Sequence, residues 1–210
     1  FQIPGCIDEL ADNFDSSANI NDGSCLYAQN YSLHAQANLM SFLSLPEDNS
    51  INNVLPLENN PNILGILGEG VAAQPLPNGQ WVGSLSHIDL TKGYWVKMSQ
   101  DDSITVIANE PPGHIDLEYN LGFGANLISF PFNGAYDINE VLPPEVIWVT
   151  TGVIGEGVGA TNLNGQFVGS LDSLRGGKGY WFKLTDPITF QFINPDELTT
   201  RLNTKENKIK

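Results

Sequence analysis

Short runs of β-forming residues, bounded by glycine, asparagine or proline, dominate the pattern of hydrophobic and polar positions along this chain. In the segment KGYWVKM at 92–98, apolar residues alternate with others. Neighbouring side chains of a strand point to opposite faces, so the alternation predicts that Tyr94 and Val96 face a core and that Trp95 lies on the other, half-exposed face. The same pattern recurs in KGYWFKL, where the equivalent positions are Tyr180, Phe182 and Trp181.

That recurrence is part of an internal duplication. The first copy spans about 31–108 and the second about 119–195, and five aligned blocks contain 30 identical residues of 48. The alignment offset drifts by two positions between blocks, which places the length differences in loops. The predicted fold is therefore mainly β, with two homologous small modules in tandem.

Each copy is also predicted to contain one short helix. In the second copy Asp137 can cap the start of the helix and Pro143 ends it, and Ser50 and Pro56 have the same roles in the first copy. The Asn-Gly pairs farther along each copy predict hairpin turns, since both residue types tolerate positive φ. The predicted segments are a disulfide-closed, calcium-binding module at 1–28, the first copy at 31–108, a linker at 109–118, the second copy at 119–195 and a polar basic tail at 196–210.

Charge narrows the range of partners. The chain carries 24 acidic and 9 basic residues, a net charge of −15, and four of the nine cations lie after residue 200. A surface this acidic repels phosphate backbones, so a nucleic acid partner is not expected. No apolar run approaches the roughly 20 residues that a membrane span requires.

The two cysteines, Cys6 and Cys25, lie 19 residues apart near the start of the chain. A disulfide between them would close the loop and contribute ~3 kcal/mol to a segment too small to stabilise itself. The chain also starts at Phe1 rather than Met, as a processed or an engineered chain would, and processing would mean that a secretion signal has been removed. Both features favour a secreted or cell-surface location.

Oxygen-bearing side chains crowd the same loop. Their oxygens suit calcium, the only cofactor expected for this chain, although their spacing is not that of an EF-hand. The alternative is that these side chains only cap turns of the loop. The candidate ligands are Asp8, Asp12, Asp15, Asn19, Asn21 and Asp22.

The segment at 5–27 resembles a short module with the pattern GCxDxxAxNYDxxAxxDDGSCxY, found in secreted multidomain proteins of marine bacteria and some of their phages. Phe14 stands where the pattern has tyrosine and Asn21 where it has aspartate, so the resemblance implies weaker calcium binding here. The matching residues are Gly5, Cys6, Asp8, Ala11, Asn13, Asp15, Ala18, Asp22, Gly23, Ser24, Cys25 and Tyr27.

The two copies are similar to "NLISFP…GKGYWxK" modules of bacterial secreted and cell-surface proteins, including cargo proteins with removable carboxy-terminal sorting domains. The resemblance rests on 126–131 and 177–183 in the second copy, and on 38–42 and 92–97 in the first. It implies export and display and brings no catalytic residue with it. The tail after 196 resembles the polar lead-in to such a sorting domain.

Sites for catalysis have little support in the sequence. His34, His87 and His114 are not paired at metal-ligand spacing, and Ser86 beside His87 is expected in a solvated loop. No nucleophile elbow or Walker pattern occurs. The chain is therefore predicted not to be an enzyme.

Glu69 and Glu156 each lie between two glycines, in GEGVAA and GEGVGA. The expected role of such a glutamate is to bond amides of its own turn. The alternative is that the two glutamates, one from each copy, are the pair of catalytic carboxylates of a glycosidase, which lie roughly 5–10 Å apart in one cleft.

Two functions follow. The first is a non-catalytic secreted or cell-surface structural and adhesion protein, a subunit of an extracellular assembly, with protein partners or its own copies. The second is a carbohydrate-binding accessory module that stacks glycans on aromatic rings. The candidate rings are those of Trp81, Trp95, Trp148 and Trp181. The alternative role of these tryptophans is core packing, and exposed coplanar tryptophans would favour the second function.

Overall fold

A computed structural model describes residues 1–113 and 116–195. Within these ranges the chain is mainly β, as predicted, with eighteen short strands and three short helices. No helix of the described part is long and apolar enough to cross a membrane. His114 and the predicted basic tail at 196–210 lie outside the described residues.

The first module consists of a five-stranded antiparallel sheet and a two-stranded ribbon. The sheet has the strand order β4-β8-β5-β6-β7, and the ribbon pairs β3 with β9. The elements are β3 (Tyr27–Leu33), β4 (Gln36–Met40), α1 (Ile51–Val54), β5 (Ile63–Leu67), β6 (Ala72–Pro75), β7 (Trp81–Gly83), β8 (Tyr94–Met98) and β9 (Asp102–Ala108).

The second module has the same sheet, strand for strand, in the order β11-β17-β13-β14-β15, and its ribbon pairs β10 with β18. A further pair, β12 with β16, has no named counterpart in the first module. The elements are β10 (Tyr119–Leu121), β11 (Gly124–Ser129), β12 (Ala135–Asp137), α2 (Ile138–Val141), α3 (Pro144–Val149), β13 (Thr150–Gly155), β14 (Val158–Leu163), β15 (Gln166–Gly169), β16 (Ser173–Arg175), β17 (Gly179–Leu184) and β18 (Ile188–Phe190).

Each module has its own hydrophobic core between sheet and ribbon. Tyr94 and Tyr180 are buried at equivalent positions, which confirms the faces predicted from the alternation. The two hydroxyls accept hydrogen bonds from the amides of Asp89 and Arg175, both at 2.8 Å. Burial raises the pKa of Tyr94 to about 12, so this phenol stays neutral. The buried Val96 and Phe182 complete the predicted set.

The prediction of one helix in each module is correct for the first module and wrong for the second. The Asp137 carboxylate caps α2 by accepting from the Asn139 amide at 2.8 Å, whereas the side chain of Ser50 makes no such bond to α1. After α2, a second helix starts at Pro144. Proline suits the first turn of a helix, where its missing N–H has no intrahelical partner to lose.

The amino-terminal segment is held by the predicted disulfide between Cys6 and Cys25 and by a short parallel pair, β1 (Pro4–Gly5) with β2 (Ile20–Asn21). Cys6 and Cys25 pack with Ala11 and Tyr27 in a small buried cluster. Since Tyr27 is also the first residue of β3, one strand spans the boundary predicted between 28 and 31.

Candidate functional site

The two modules meet where the starts of β8 and β17 approach each other. A Cβ atom on Gly179 would lie 2.9 Å from the Met40 carbonyl oxygen and 3.3 Å from the Gly93 Cα, and a Cβ on Gly93 would lie 2.9 Å from the Leu127 Cδ1. Contacts this short leave no room for a side chain, which explains the glycine in both KGYW segments. We call this contact, formed by 39–41 with 177–179 and by 91–93 with 127–129, the seam.

Backbone hydrogen bonds extend both sheets across the seam. The Ser41 amide donates to the Gly177 carbonyl at 3.1 Å, and the Ser129 amide donates to the Thr91 carbonyl at the same distance. Single bridges join Met40 to Lys178 and Lys92 to Ile128. Strands β4 and β11 are the outermost strands of their sheets, so each module covers the exposed edge of the other.

Glu69 and Glu156 complete this edge protection. The Oε2 atom of Glu156 accepts from the Leu39 amide at 2.8 Å, and the Oε2 atom of Glu69 accepts from the Leu127 amide at 3.0 Å. The prediction that each glutamate bonds amides of its own turn is therefore wrong: each carboxylate bonds an edge strand of the other module. Each glutamate can make this bond because the seam places its GEG loop beside the edge strand of the other module, where a backbone amide has no partner within its own sheet.

One contact breaks the symmetry of the seam. The Nε2 atom of His34 lies 2.5 Å from the Oε1 atom of Glu156, whereas the aligned position in the second copy is Gly122. The Ala35 carbonyl, which contacts the other ring nitrogen, and then the Glu156 carboxylate raise the pKa of His34. Protonation of the exposed imidazole would thus favour the closed seam.

A cleft lies beside each GEG loop. The cleft at Glu156 has a volume of about 350 Å³ and is lined by His34, Asp172, Arg175 and Lys178. The cleft at Glu69 has a volume of about 300 Å³ and is lined by Ser86, His87, Asp89 and Lys92. In the second cleft the Ser86 Oγ and the His87 Nδ1 are 3.0 Å apart and both residues are exposed, as expected for a solvated loop.

The outer faces of both sheets expose apolar side chains at equivalent positions. Leu67 and Ile154 are 49% and 57% exposed, and Val82 and Val168 are 44% and 56% exposed. On the first module, Leu67 and Val82 line a shallow depression of about 480 Å³ with Lys97. We call these two surfaces the outer faces.

The four tryptophans predicted as ligand platforms lie in different settings. Trp95 and Trp181 are half-buried on the outer faces, as the alternation predicts. Trp81 packs against the first core and donates from its Nε1 to the Leu55 carbonyl at 2.9 Å. Trp148, on α3, is 72% exposed and is the most accessible of the four.

The six candidate calcium ligands bond backbone groups of their own segment. Asp15 and Asp22 accept from the amides of Ser17 and Ser24, and Asn21 accepts from the Gly23 amide. Hydrogen bonds from the side chains of Ser17 and Ser24, and then from their amides, lower the pKa of Asp15 and Asp22. The remaining acceptor contacts are Asp8 from Leu10 and Tyr27, Asp12 from Ala28, and Asn19 from Ile3.

Bonds of this kind are what the turn-capping alternative predicts for these side chains. Within the described ranges, no group of three or more His, Cys, Asp or Glu side chains could hold a metal ion. The predicted ligands also include the amide oxygens of Asn19 and Asn21, which lie outside those four residue types, so calcium binding by this loop stays a prediction.

Comparison with known proteins gives no family assignment. No family model matches this chain, and no significant match is found to a curated protein or to a solved structure. The resemblances of the amino-terminal module and of the two copies stay predictions.

Proposed function

We propose that this chain is a non-catalytic secreted or cell-surface structural and adhesion protein that binds protein partners through its two outer faces. The supporting observation is that exposed apolar residues recur at equivalent positions, Leu67 with Ile154 and Val82 with Val168, on two modules of diverged sequence. Exposed apolar residues grouped on one surface are typical of protein-binding sites.

The charge distribution and the seam add to this proposal. Lys97 and Lys183 project beside the apolar residues of the two outer faces, on a chain whose net charge is −15. The acidic remainder disfavours nonspecific contact with other acidic surfaces and leaves the apolar positions as the preferred contact. Because the seam joins the modules, the two faces are presented together, and two weak contacts made at once bind more tightly than either alone.

Export is supported by the disulfide. Cys6 and Cys25 close the amino-terminal segment, and a bond of this kind persists in an oxidising compartment.

Attachment of coated beads tests the proposal. Beads carrying the protein would be mixed with washed cells of the organism that encodes it, and we expect the double variant L67S/I154S to attach several-fold less than the unaltered protein. The matched control is Leu10→Ser, which removes an exposed leucine of the amino-terminal segment. Equal attachment by the unaltered protein and the double variant would contradict a role for the outer faces.

Trp148 supports carbohydrate binding as a second candidate function. Its ring is largely exposed, and the outer atoms of its six-membered ring lie 3.6–4.0 Å from the position that a Cβ of Gly165 would occupy, so the ring lies against the hairpin turn. An exposed aromatic ring held in this way is suited to stacking on a sugar. Retardation in gels that contain polysaccharide would test this function, with Trp148→Ala expected to abolish it and Trp81→Phe expected to leave it unchanged.

A further inference from the structure

The seam has the geometry of a symmetric dimer interface, although one chain forms both halves. Three kinds of contact occur twice: a glutamate bonded to an edge amide, a backbone bond from an edge strand, and a glycine packed against a leucine. In an isologous interface the same patch is used on both sides, so that each contact between two positions is repeated in reverse. The two modules present this same patch to each other.

We infer that the seam is an interaction surface for a second copy of this chain, in which the first module of each chain pairs with the second module of the other. All seam contacts would be retained in such an exchanged dimer, since the patches are the same in both arrangements. The partner is therefore this chain itself, and the recognition elements are the GEG glutamates, the edge strands β4 and β11, and the paired glycines.

Concentration decides between the closed monomer and the exchanged dimer. Within one chain the connector at 109–118 keeps the modules together at an effective concentration on the order of millimolar for a short linker. Dilute protein is thus a closed monomer. Exchange becomes favourable when the local concentration of chains approaches that value, as it does for a protein crowded on a surface.

Residues 109–113 of the connector bond to the first module. On the first module, the Gly113 amide donates to the Leu43 carbonyl at 3.2 Å, and the Glu110 carbonyl accepts from the Ser44 Oγ at 2.8 Å. The Asn109 Oδ1 also accepts from the Glu47 amide at 3.4 Å. Bonds of this kind would open when the modules separate, whereas each module keeps its own core. Short connectors between complementary elements are a common route to swapped dimers.

Refolding at two concentrations tests this inference. The full chain, with its disulfide intact, would be unfolded in denaturant and refolded at about micromolar and at about millimolar concentration. We expect monomer from the dilute sample and a substantial dimer fraction from the concentrated one, measured by light scattering after size exclusion. The isolated dimer should persist on dilution, because separating it requires the seam to open.

The controls separate this inference from the proposed function. Gly179→Val should open the seam of the monomer and also remove the dimer, because a side chain does not fit the seam in either arrangement. The milder pair E69Q/E156Q should speed the return of the isolated dimer to monomer in a chain that still folds, because the seam opens more readily. The double variant L67S/I154S should dimerise as the unaltered chain does. A monomer at every concentration would overturn the inference, and so would a dimer that dissociates at once on dilution or that depends on Leu67 and Ile154.

Discussion

The Oε2 atom of Glu156 accepts a hydrogen bond at 2.8 Å from the amide of Leu39, a residue 117 positions away in the sequence. Glu69 and Leu127 repeat this relationship in the opposite direction, at 3.0 Å. Each glutamate accepts from a strand amide of the other module. The sheet that contains this amide leaves it unpaired, because the strand lies at the sheet edge. The consequence is that the two modules stabilise each other through backbone amides, and also through the hydroxyls of Ser41 and Ser129, which donate across the seam to the carbonyls of Lys178 and Leu90.

Removing the Glu156 carboxylate should destabilise the chain. Glu156→Ala leaves the Leu39 amide without its acceptor, and loss of a hydrogen bond to a charged group typically costs about 1.5–3 kcal/mol. Denaturant unfolding would measure the change in the free energy of unfolding, and hydrogen exchange at Leu39 should accelerate. Glu145→Ala, at an exposed acid on α3, is the control. An unchanged exchange rate at Leu39 would contradict the assigned contact.

The contact between His34 and Glu156 should make stability depend on pH. The pKa of His34 is raised in the folded chain, so its contribution is fully present below the ordinary histidine pKa of about 6.5 and is lost as the pH rises through the higher folded value. The groups around the imidazole are the Ala35 carbonyl, Glu156 and Asp101.

Thermal unfolding of the unaltered chain and of His34→Gln, measured on both sides of that range, tests this pH dependence. We expect the difference in melting temperature between the two proteins to be larger at pH 5.5 than at pH 8.5, in line with the sign of a raised histidine pKa. His87→Gln is the control, since His87 contacts Ser86 and not the seam. A difference that grows with rising pH would contradict the assignment.

A side chain at Gly179 should disrupt the seam. Gly179→Val would place a Cβ 2.9 Å from a backbone oxygen of Met40, which cannot move as a flexible side chain can. Overpacking of this kind costs about 1–3 kcal/mol, measured as the free energy of unfolding. Gly122→Ala is the matched control, because the nearest atom to its new Cβ is 4.0 Å away. A Gly179 variant as stable as the control would show that the modules do not approach as closely as described.

Calcium addition tests the proposed role of the amino-terminal loop. We predict that calcium, if it binds this chain, binds weakly, at about millimolar concentration, and in the loop from Asp8 to Asp22. Calorimetric titration should then give heat that is lost in the double variant D15N/D22N and retained in D137N, which removes a carboxylate of the second module. The absence of heat at millimolar calcium would leave turn capping as the role of these residues. Heat that survives in D15N/D22N would place the site elsewhere.

Local pattern was enough to determine much of this fold. Alternation identified the buried faces of β8 and β17, because successive side chains of a strand must point to opposite sides. Two cysteines flanking a small loop identified the disulfide. The cap at Asp137 follows from residue type, but α3 does not, since Pro143 indicates the end of a helical segment whereas Pro144 starts a second helix.

The sequence by itself therefore determined which residues are buried in each module, whereas only the tertiary structure decided which groups of the two modules bond to each other. Nothing local to GEG specifies that its carboxylate bonds an amide more than fifty positions away, at Leu127 for Glu69 or at Leu39 for Glu156. That partner exists because β4 and β11 end their sheets with unpaired amides, and because two glycines permit the modules to approach closely enough for a glutamate to reach them. A buried face depends on the period of one strand, whereas the partner of an edge amide depends on which segments the completed fold brings alongside it.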